Sequence, residues 1–326
     1  MQIAIVKLSA LGDIIHAMIV LQYIKKMIPN IQIDWFVEEK FVGILENNPH
    51  IRTIYPVRLK NNTQHFFKEY QKLRLIAKKY HYDFVLDLQG LIKSAIVSRI
   101  LSKNCIGFDK KSLREPLASL FYKTTFTVPY EENVIIRNLN LVCQAFNLDL
   151  PDCTQKELFL FTTSHTSIKP ILLVIVGSSW KSKMYPKEHF VSIINALNVI
   201  SYLSWGNEAE KQDAEFIAKH THALVLPSLT LNQLKDVVQN SALVIGGDSG
   251  PTHIAWASNK SSITIFGPTP SSRNTLTTPI NKVIDCNEPI NPKKLDKKNN
   301  CIKMIKPEKI IVLAKKLLSN QEDYQK

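Results

Sequence analysis

An aspartate near the start of the chain has the surroundings of a general base. Asp13 lies in the segment Lys7–His16, where the first apolar run gives way to a helical pattern. Ser9 and Gly12 allow a ligand to approach the backbone closely, and a carboxylate at the start of a helix can accept a proton from a sugar hydroxyl. Asp13 can equally be only a helix cap, because acidic side chains are favourable at helix N-termini. The spacing alone leaves both roles open.

A second segment, Gly246–Ala255, has the composition of a phosphate-binding turn. It follows an apolar run and places small residues before Pro251, a residue favoured in the first turn of a helix. Backbone N–H groups and the dipole at a helix N-terminus favour an anion such as a diphosphate. Ser249, Thr252 and His253 can add side-chain donors. The alternative is a turn that is glycine-rich for steric reasons, with His253 packed in the core.

Two more polar segments follow apolar runs in the second half of the chain. Gly177–Pro186 concentrates hydroxyl groups and lysines, and a lysine at a strand end can neutralise a departing diphosphate. It can also be a solvated basic loop. Trp205–Glu210 carries Glu208 and Glu210, which can accept hydrogen bonds from a ribose diol but are also typical acids of a first helical turn.

These segments are positioned by short apolar runs that alternate with helical patterns, which predicts an α/β fold with parallel sheets covered on both faces. The predicted strands of the first half are Ile3–Lys7, Gln32–Val37, Thr53–Val57 and Phe84–Leu88. Those of the second half are Ile171–Val176, Ile200–Trp205, Ala223–Leu226, Ala242–Ile245 and Ser262–Phe266. Such sheets bind ligands at the carboxyl ends of their strands, so the expected site is a cleft between two domains.

The length of 326 residues predicts two domains of about 150 residues each. A polar stretch from Leu148 to Pro170 interrupts the alternation and has the composition of a linker. We therefore assign residues 1–160 to an N-terminal Rossmann-like domain and residues 161–306 to a C-terminal one. The C-terminal helix, within residues 307–326, is expected to complete the first domain.

The composition is that of a folded enzyme with an anionic partner. Hydrophobic residues make up 45% of the chain, and the formal net charge is +13. The positive charge favours phosphorylated lipid, nucleotide or nucleic acid as a partner. Compositional drift toward lysine explains the charge equally well. No apolar run reaches the roughly 18 to 20 residues that span a bilayer. The first residues form a strand pattern rather than a signal peptide, so we expect a cytoplasmic protein.

The cysteines are expected to be reduced thiols. They are Cys105, Cys143, Cys153, Cys286 and Cys301. Their odd number and the absence of a CxxC pair in the sequence argue against a disulfide framework or a zinc knuckle. Cys286 and Cys301 bracket a Lys/Asn-rich stretch and are the pair that we expect to come closest together.

Taken together, the segments resemble those of the bacterial lipopolysaccharide heptosyltransferases. These are GT-B glycosyltransferases, with two Rossmann-like domains whose parallel sheets face each other across a cleft. The resemblance rests on Lys7–His16, Asp248–Ala255 and Phe266–Thr269, which occur in the family's order and separation. Asp87–Ser94 and Arg114–Tyr122 resemble the enzymes that add the first heptose, whereas the tail around Cys286 and Cys301 is more similar to those that add the second.

The resemblance implies transfer of L-glycero-D-manno-heptose from ADP-heptose to the first Kdo sugar of Kdo-lipid A, with inversion, no cofactor and no required metal ion. Asp13 matches the family's base, and Lys183 matches its diphosphate-neutralising lysine. The donor-binding positions fall on Ser178, Ser179, Glu210, Asp248, Ser249, Gly250 and His253, and Thr252 joins them from its place in the same turn. Serines stand at 178 and 179 where the family has threonines, which keeps the hydroxyl group.

An acceptor of this kind is polyanionic, so the first domain should present cations near Asp13. Ser9 and Gly12 are expected to line the acceptor site. The basic candidates are Arg58, Lys60, Lys93, Lys111 and Arg114, each of which is also explained as a solvated surface charge. Attraction to anionic lipid contributes about 1 kcal/mol per basic residue, so such residues can hold the protein peripherally at the cytoplasmic face of the inner membrane.

Two other classes of protein share some of these features. A nucleotide-dependent oxidoreductase would share the fold but should show GxGxxG after a first strand and an acidic ribose partner about 20 residues later, and neither half has them. A nucleic-acid-binding protein would explain the charge, but the sequence shows no recognition helix or aromatic RNA-binding motif, so we expect no nucleic-acid partner. Within the family, addition of the second heptose is the alternative activity.

Overall fold

The computed structural model describes residues 1–58, 63–153 and 156–322 of the chain. The chain divides into two compact units, Met1–Phe161 and Thr162–Lys326. Each unit is built on one six-stranded sheet in which all neighbouring strands are parallel. The predicted α/β fold class is therefore confirmed.

The first unit begins with a strand and alternates strands with helices. Its strands are β1 (Gln2–Val6), β2 (Gln32–Glu38), β3 (Thr53–Val57), β4 (Phe84–Asp87), β5 (Cys105–Phe108) and β6 (Thr124–Phe126). Its helices are α1 (Leu11–Met18), α2 (Val20–Met27), α3 (Val42–Leu45), α4 (Thr63–Tyr80), α5 (Ile92–Leu101) and α6 (Val134–Phe146). The strand order is β3-β2-β1-β4-β5-β6, so the chain direction across the sheet reverses between β1 and β4.

The second unit repeats this arrangement. Its strands are β7 (Leu172–Ile175), β8 (Ser201–Ser204), β9 (Leu224–Val225), β10 (Leu243–Gly247), β11 (Ser261–Phe266) and β12 (Asn281–Asp285). Its helices are α7 (Lys187–Leu197), α8 (Glu208–Lys219), α9 (Leu231–Gln239), α10 (Gly250–Ala257), α11 (Ser271–Asn274) and α12 (Pro307–Glu322). The order β12-β11-β10-β7-β8-β9 reverses between β7 and β10, and such a switch point is where doubly wound sheets bind ligands.

The central strands form because their apolar runs can be buried on both faces. In β1, Ile3, Ile5 and Val6 are fully buried, and Ile5 pairs with Trp35 on one side and with Leu86 on the other. A continuous apolar run is typical of a parallel strand covered by helices. Because all the strands are parallel, the loops that follow them leave the sheet at one common edge.

Three strands have no counterpart in the sequence analysis, namely β5, β6 and β12. The strand β5 is short and contains Gly107, where a Cβ atom would lie 2.4 Å from the Tyr122 ring. The strands β6 and β12 lie at the outer edges of their sheets and carry polar residues. Edge strands need little apolar pattern, because one side of each is not paired.

The C-terminal helix differs from its expected place. The side chains of Ile310, Ala314 and Leu317 on α12 lie in the core of the second unit, where α12 packs against α7. Their spacing gives a single apolar stripe along the helix, and that stripe meets the core of its own unit. Residues 323–326 of the expected helix lie outside the described residues.

The expectation of reduced cysteines is wrong for one pair. Cys286 and Cys301 form a disulfide, with their Cα atoms 6.0 Å apart and 15 residues of sequence separation. Cys286 directly follows β12, and the 3₁₀ helix Cys301–Met304 brings the chain back beside it. The other three cysteines, Cys105, Cys143 and Cys153, are free thiols.

Candidate functional site

The loop after β1 is fixed by a side chain from the loop after β4. The side-chain oxygen of Gln89 accepts hydrogen bonds from the backbone N–H groups of Leu8, at 2.7 Å, and Ser9, at 3.0 Å. Its amide nitrogen also donates to the Ser9 hydroxyl at 3.2 Å. Gln89 falls within the resembling segment Asp87–Ser94, but no role was predicted for it. Gln89 is thus a positioning residue for the predicted acceptor loop.

Asp13 is an exposed residue in the first turn of α1, beside the half-buried Gly12. One carboxylate oxygen of Asp13 accepts a hydrogen bond from the N–H of Ala10 at 3.3 Å. This is the capping contact that the sequence left open. At 3.3 Å the bond is long, so it holds the carboxylate weakly. Capping and proton acceptance are therefore compatible for this side chain.

A second carboxylate in the first unit is buried. Asp87 accepts hydrogen bonds from the N–H groups of Gln89, at 2.8 Å, and Gly90, at 3.0 Å, and from the Tyr122 hydroxyl at 2.8 Å. Burial raises the pKa of the Asp87 carboxyl, although these hydrogen bonds act in the opposite direction. Gly90 has φ +69° and lies against Leu113, so the turn requires glycine. Asp87 fixes the turn that carries Gln89.

Four of the predicted acceptor cations lie on the connections that follow β3, β4 and β5. Arg58 directly follows β3 and forms an exposed ion pair with Glu39. Lys93 and Lys111 are exposed, and no ion pair involves either of them among the described residues. Arg114 is exposed and lies 3.9 Å from Glu115. Lys60 lies outside the described residues.

In the second unit, Asp248 is the centre of a buried polar cluster. The ammonium group of Lys183 lies 2.8 Å from one of its oxygens, and His253 Nε2 lies 3.0 Å from the other. The Thr269 hydroxyl donates to Asp248 at 2.7 Å, and the Ser178 hydroxyl donates to its backbone carbonyl at 3.3 Å. The structure therefore brings three predicted residues together at Asp248, with Lys183 and His253 at its carboxylate and Ser178 at its backbone carbonyl.

The electrostatics of this cluster are those of a tightly held ion pair. Burial would raise the pKa of the Asp248 carboxyl, but the ammonium group of Lys183 and the hydrogen bond with His253 hold that pKa well below its usual range. Asp248 was predicted to contact the donor substrate directly. Its surroundings do not favour such a contact, because both of its carboxylate oxygens already have partners. Asp248 instead orients Lys183 and His253.

Two glycines at the end of β10 allow this close approach. A Cβ atom at Gly247 would lie 2.6 Å from the backbone oxygen of Lys183, and one at Gly246 would lie 2.6 Å from the Thr252 hydroxyl. Ser249 and Thr252 share a hydrogen bond of 3.1 Å. The small residues before α10 are thus required for packing as well as for exposing the helix N-terminus.

Glu210 has a more specific environment than a first-turn acid normally has. Its carboxylate accepts the N–H of Gly206 at 2.7 Å and packs against Gly177, where a Cβ atom would lie 1.9 Å from the carboxyl carbon. Asn207 caps α8 by accepting the N–H of Glu210 at 3.1 Å. The loops after β7 and β8 therefore meet at Glu210. Ser179 is exposed on the first of these loops.

Several residues near the Asp248 cluster were not predicted from the sequence. Thr269 follows β11 and was quoted only within a resembling segment, although its hydroxyl position after a strand was a usable signal. The Trp180 ring lies 5.3 Å from the Lys183 ammonium and 4.8 Å from that of Lys297. Nothing in the local sequence pairs Trp180 with Lys297. Among the described residues, no three His, Cys, Asp or Glu side chains are grouped so that they could hold a metal ion.

Comparison with known proteins identifies the family. The profile of glycosyltransferase family 9 (heptosyltransferase) matches residues 71–305. Lipopolysaccharide heptosyltransferase 1 of Campylobacter coli is 42% identical, covering 98% of this chain and 100% of that protein. Lipopolysaccharide heptosyltransferase 1 of Pseudomonas aeruginosa is 30% identical, covering 82% of this chain and 79% of that protein. These matches confirm the resemblance inferred from the sequence.

Solved structures show the same fold. Escherichia coli heptosyltransferase WaaC with ADP is similar with a TM-score of 0.82 at 24% identity, covering 97% of this chain and all of that one. Escherichia coli ADP-heptose lps heptosyltransferase II gives a TM-score of 0.78 at 17% identity, covering 99% of this chain and 100% of that one. The two Rossmann-like units, the motifs and the sequence matches agree, and this chain belongs to glycosyltransferase family 9, the heptosyltransferases.

Proposed function

We propose that this chain transfers L-glycero-D-manno-heptose from ADP-heptose to the first Kdo sugar of Kdo-lipid A, with inversion, during assembly of the lipopolysaccharide inner core. The observation that carries the proposal is the buried Lys183–Asp248–His253 cluster beside the N-terminus of α10, because it offers a sugar diphosphate both a cation and a helix dipole. The 42% identity to a lipopolysaccharide heptosyltransferase 1 supports addition of the first heptose. WaaC has also been solved with ADP-2-deoxy-2-fluoro heptose, which supports this donor class.

The donor half of the reaction needs relief of charge on the departing ADP. The Lys183 ammonium has three N–H donors, and its contact with Asp248 leaves others for the diphosphate. Peptide N–H groups in the first turn of α10 are oriented toward the same region by the helix. Losing one such preorganised donor typically costs about 3 kcal/mol in the barrier. Asp248 contributes by holding the Lys183 ammonium group in place, because the Asp248 carboxylate itself would repel the phosphates of the donor.

The remaining donor contacts come from the loops after β7 and β8. Glu210 uses one carboxylate oxygen for Gly206 and can accept a ribose hydroxyl with the other. Ser178 and Ser179 follow β7 and supply hydroxyl donors for a phosphate. Ser249, Gly250 and Thr252 complete the donor-binding turn at the start of α10.

The acceptor half needs a base and cations. Asp13 takes the proton of the Kdo hydroxyl, while Ser9 and Gly12 line the loop that Gln89 fixes. The acceptor carries Kdo carboxylates and lipid A phosphates, so the exposed cations on the connections that follow the strands contact it. These cations are Arg58, Lys93, Lys111 and Arg114. Lys60 is proposed as a fifth acceptor contact from its place in the sequence alone. We infer that the protein works at the cytoplasmic face of the inner membrane, as a peripheral protein. No described helix is long and apolar enough to cross a membrane.

The proposed reaction uses no metal ion and no cofactor. Lys183 and the N-terminus of α10 provide the charge relief that a metal ion provides in other transferases. Turnover should therefore be the same with and without EDTA. A rate that collapses with EDTA and recovers with a divalent cation would contradict this part of the proposal.

The deciding experiment offers ADP-heptose with defined acceptors and measures ADP release and product mass. Kdo-lipid A should gain one heptose, and an acceptor that already carries the first heptose should gain none. Extension of only the second acceptor would assign the chain to the second addition. Absence of transfer to either acceptor, with retained binding of ADP, would refute the proposed function.

A further inference from the structure

A short segment of the first unit is both apolar and exposed. The 3₁₀ helix Pro116–Phe121 carries Leu117, which is 62% exposed, and Leu120, which is 79% exposed. Residues three apart superimpose along a 3₁₀ helix, so the two leucines share one face. We call Leu117 and Leu120 together the leucine face. Contiguous exposed apolar surface with a polar rim marks an interaction site, whereas exposed apolar residues that are scattered singly do not.

The leucine face is presented by a fixed scaffold. Ala118, between the two leucines, is fully buried, and the Ser119 hydroxyl donates to the Pro116 carbonyl at 2.8 Å. The next residues reach Tyr122, whose hydroxyl bonds the buried Asp87 at 2.8 Å. The exposure of the leucines therefore results from how the helix is anchored.

Basic residues flank the leucine face in the sequence, and another lies on an element packed against its helix. The segment from Lys110 to Lys123 contains four basic residues and one acidic residue, Glu115. The basic residues, all exposed, are Lys110, Lys111, Arg114 and Lys123. Lys93, also exposed, lies on α5, which packs against the 3₁₀ helix. One oxygen of Glu115 accepts the N–H of Ile92 at 2.8 Å, so its charge is partly turned inward.

The leucine face lies in the connection that runs from the end of β5, at the edge of the sheet where the acceptor loop lies, back to the start of β6. The strand β4 leads into α5, and β5 leads into the turn Lys110–Ser112 that contacts the 3₁₀ helix. Because β1, β4 and β5 are parallel neighbours, these connections leave the same edge as the Asp13 loop. The leucine face thus packs on two elements, α5 and the turn Lys110–Ser112, that both begin at the edge of the acceptor loop.

We propose that the leucine face inserts into the interfacial region of an anionic phospholipid bilayer while the flanking cations contact headgroup phosphates. Leucines reaching the acyl boundary and lysines or arginines at the headgroups are the pattern of interfacial membrane binding. The excess of basic over acidic residues fits an anionic lipid surface. The proposal rests on the proposed function for its purpose, since docking brings the protein to the membrane in which a lipid acceptor is embedded.

The test is sedimentation of the full-length chain with vesicles that contain no acceptor. Vesicles of phosphatidylcholine alone are compared with vesicles that also contain phosphatidylglycerol. We expect the wild type to prefer the anionic vesicles, and Leu117→Ser/Leu120→Ser to bind them about 100-fold more weakly, because burial of each leucine contributes about tenfold. The matched control is Leu75→Ser/Leu224→Ser, which replaces leucines that are 67% and 56% exposed elsewhere; it should bind as the wild type does.

Several outcomes would overturn the proposal. One is wild-type affinity in the Leu117→Ser/Leu120→Ser variant, and another is a wild type that ignores anionic vesicles. A third is sedimentation velocity showing that the leucines instead hold together two copies of the chain, with vesicle binding unaffected by the substitutions.

Activity separates this proposal from the proposed function. On a water-soluble Kdo acceptor without acyl chains, the double variant should transfer heptose at the wild-type rate, since neither leucine takes part in the reaction. On acceptor embedded in vesicles, it should be slower by a factor that follows its loss of vesicle binding. If the wild type docks through the leucine face but transfers heptose to neither acceptor, the proposed function fails and the docking surface stands.

Discussion

The two carboxylates that matter most in this chain differ in what surrounds them. Asp13 is exposed and makes one long hydrogen bond, so a substrate hydroxyl can replace its partner. Asp248 is buried with both oxygens engaged, so it cannot exchange partners at little cost. The first has the freedom that proton transfer needs, and the second has the rigidity that positioning needs.

Replacing Asp13 with asparagine tests its role as base. Asp13→Asn keeps the oxygen that accepts the Ala10 N–H but removes the basic carboxylate. We expect kcat to fall about 10²- to 10⁴-fold, the usual contribution of a general base, with the Kd for ADP-heptose unchanged. The control is Asp149→Asn, an exposed aspartate of the same unit, which should keep the full rate. A rate for Asp13→Asn close to that of the wild type would leave the residue as a helix cap only.

The Lys183–Asp248 pair can be measured by a double-mutant cycle. Lys183→Met leaves a buried carboxylate without its cation and should lower the free energy of unfolding by about 3 kcal/mol. Lys183→Met/Asp248→Asn should lose clearly less than the sum of the single variants, as measured in urea. Strictly additive losses would mean that the pair is not coupled.

The pH dependence of that coupling has a defined sign. Because the folded state lowers the pKa of Asp248 from 3.8, its contribution to stability is complete above that pH and is lost as pH falls toward the folded value. The coupling energy between Lys183 and Asp248 should therefore shrink in acid. Asp248→Asn should remove this part of the acid sensitivity.

At the scale of elements, the glycines at strand ends decide how closely the loops approach each other. Gly177→Ala collides with the movable end of the Glu210 side chain, whereas Gly247→Ala collides with the backbone oxygen of Lys183. We expect Gly247→Ala to destabilise the fold by about 1 to 3 kcal/mol and to slow turnover. Gly177→Ala should mainly weaken ADP binding, by displacing Glu210. Thermal unfolding and titration with ADP separate these effects; equal destabilisation by both substitutions would contradict this interpretation.

The disulfide is a property of the loop between β12 and α12. In the chain unfolded without reductant, a thiol reagent should count three free thiols, and after reduction it should count five. Closing a loop of this length stabilises a protein by about 3 kcal/mol at most, so Cys286→Ser/Cys301→Ser should lower the free energy of unfolding by no more than this. Five reactive thiols before reduction would show that the pair is reduced in solution.

The strands and helices that position the site could largely be predicted from the sequence. The contacts between the loops that follow them could not. The strands β1, β7 and β10 are formed by apolar, buried runs of residues. Each strand is followed by a polar segment that was predicted to belong to the site. Local periodicity carries that information. It does not carry the strand order that brings Gln89 onto the Ser9 loop or Lys183 onto Asp248. Those contacts depend on which strands become neighbours.

The chain as a whole consists of two units, each with a core of its own. A ligand bound by one unit stabilises that unit by mass action, by about 2.7 kcal/mol at a concentration of 100 times Kd. If the donor residues act as proposed, ADP should slow backbone hydrogen exchange in the second unit and leave β1 to β6 nearly unchanged. The strongest protection is expected in the loops at Gly177–Ser179 and Ser249–His253.

The control for this last measurement is the Lys183→Met variant, which should show weaker protection at the same ADP concentration because its diphosphate contact is lost. Exchange is read peptide by peptide, so the result does not depend on activity or on any acceptor. Protection that appears first in the loop around Asp13 would place the nucleotide in the wrong unit. In that case the assignment of donor and acceptor to the two units would have to be reversed, whatever the chemistry of the reaction.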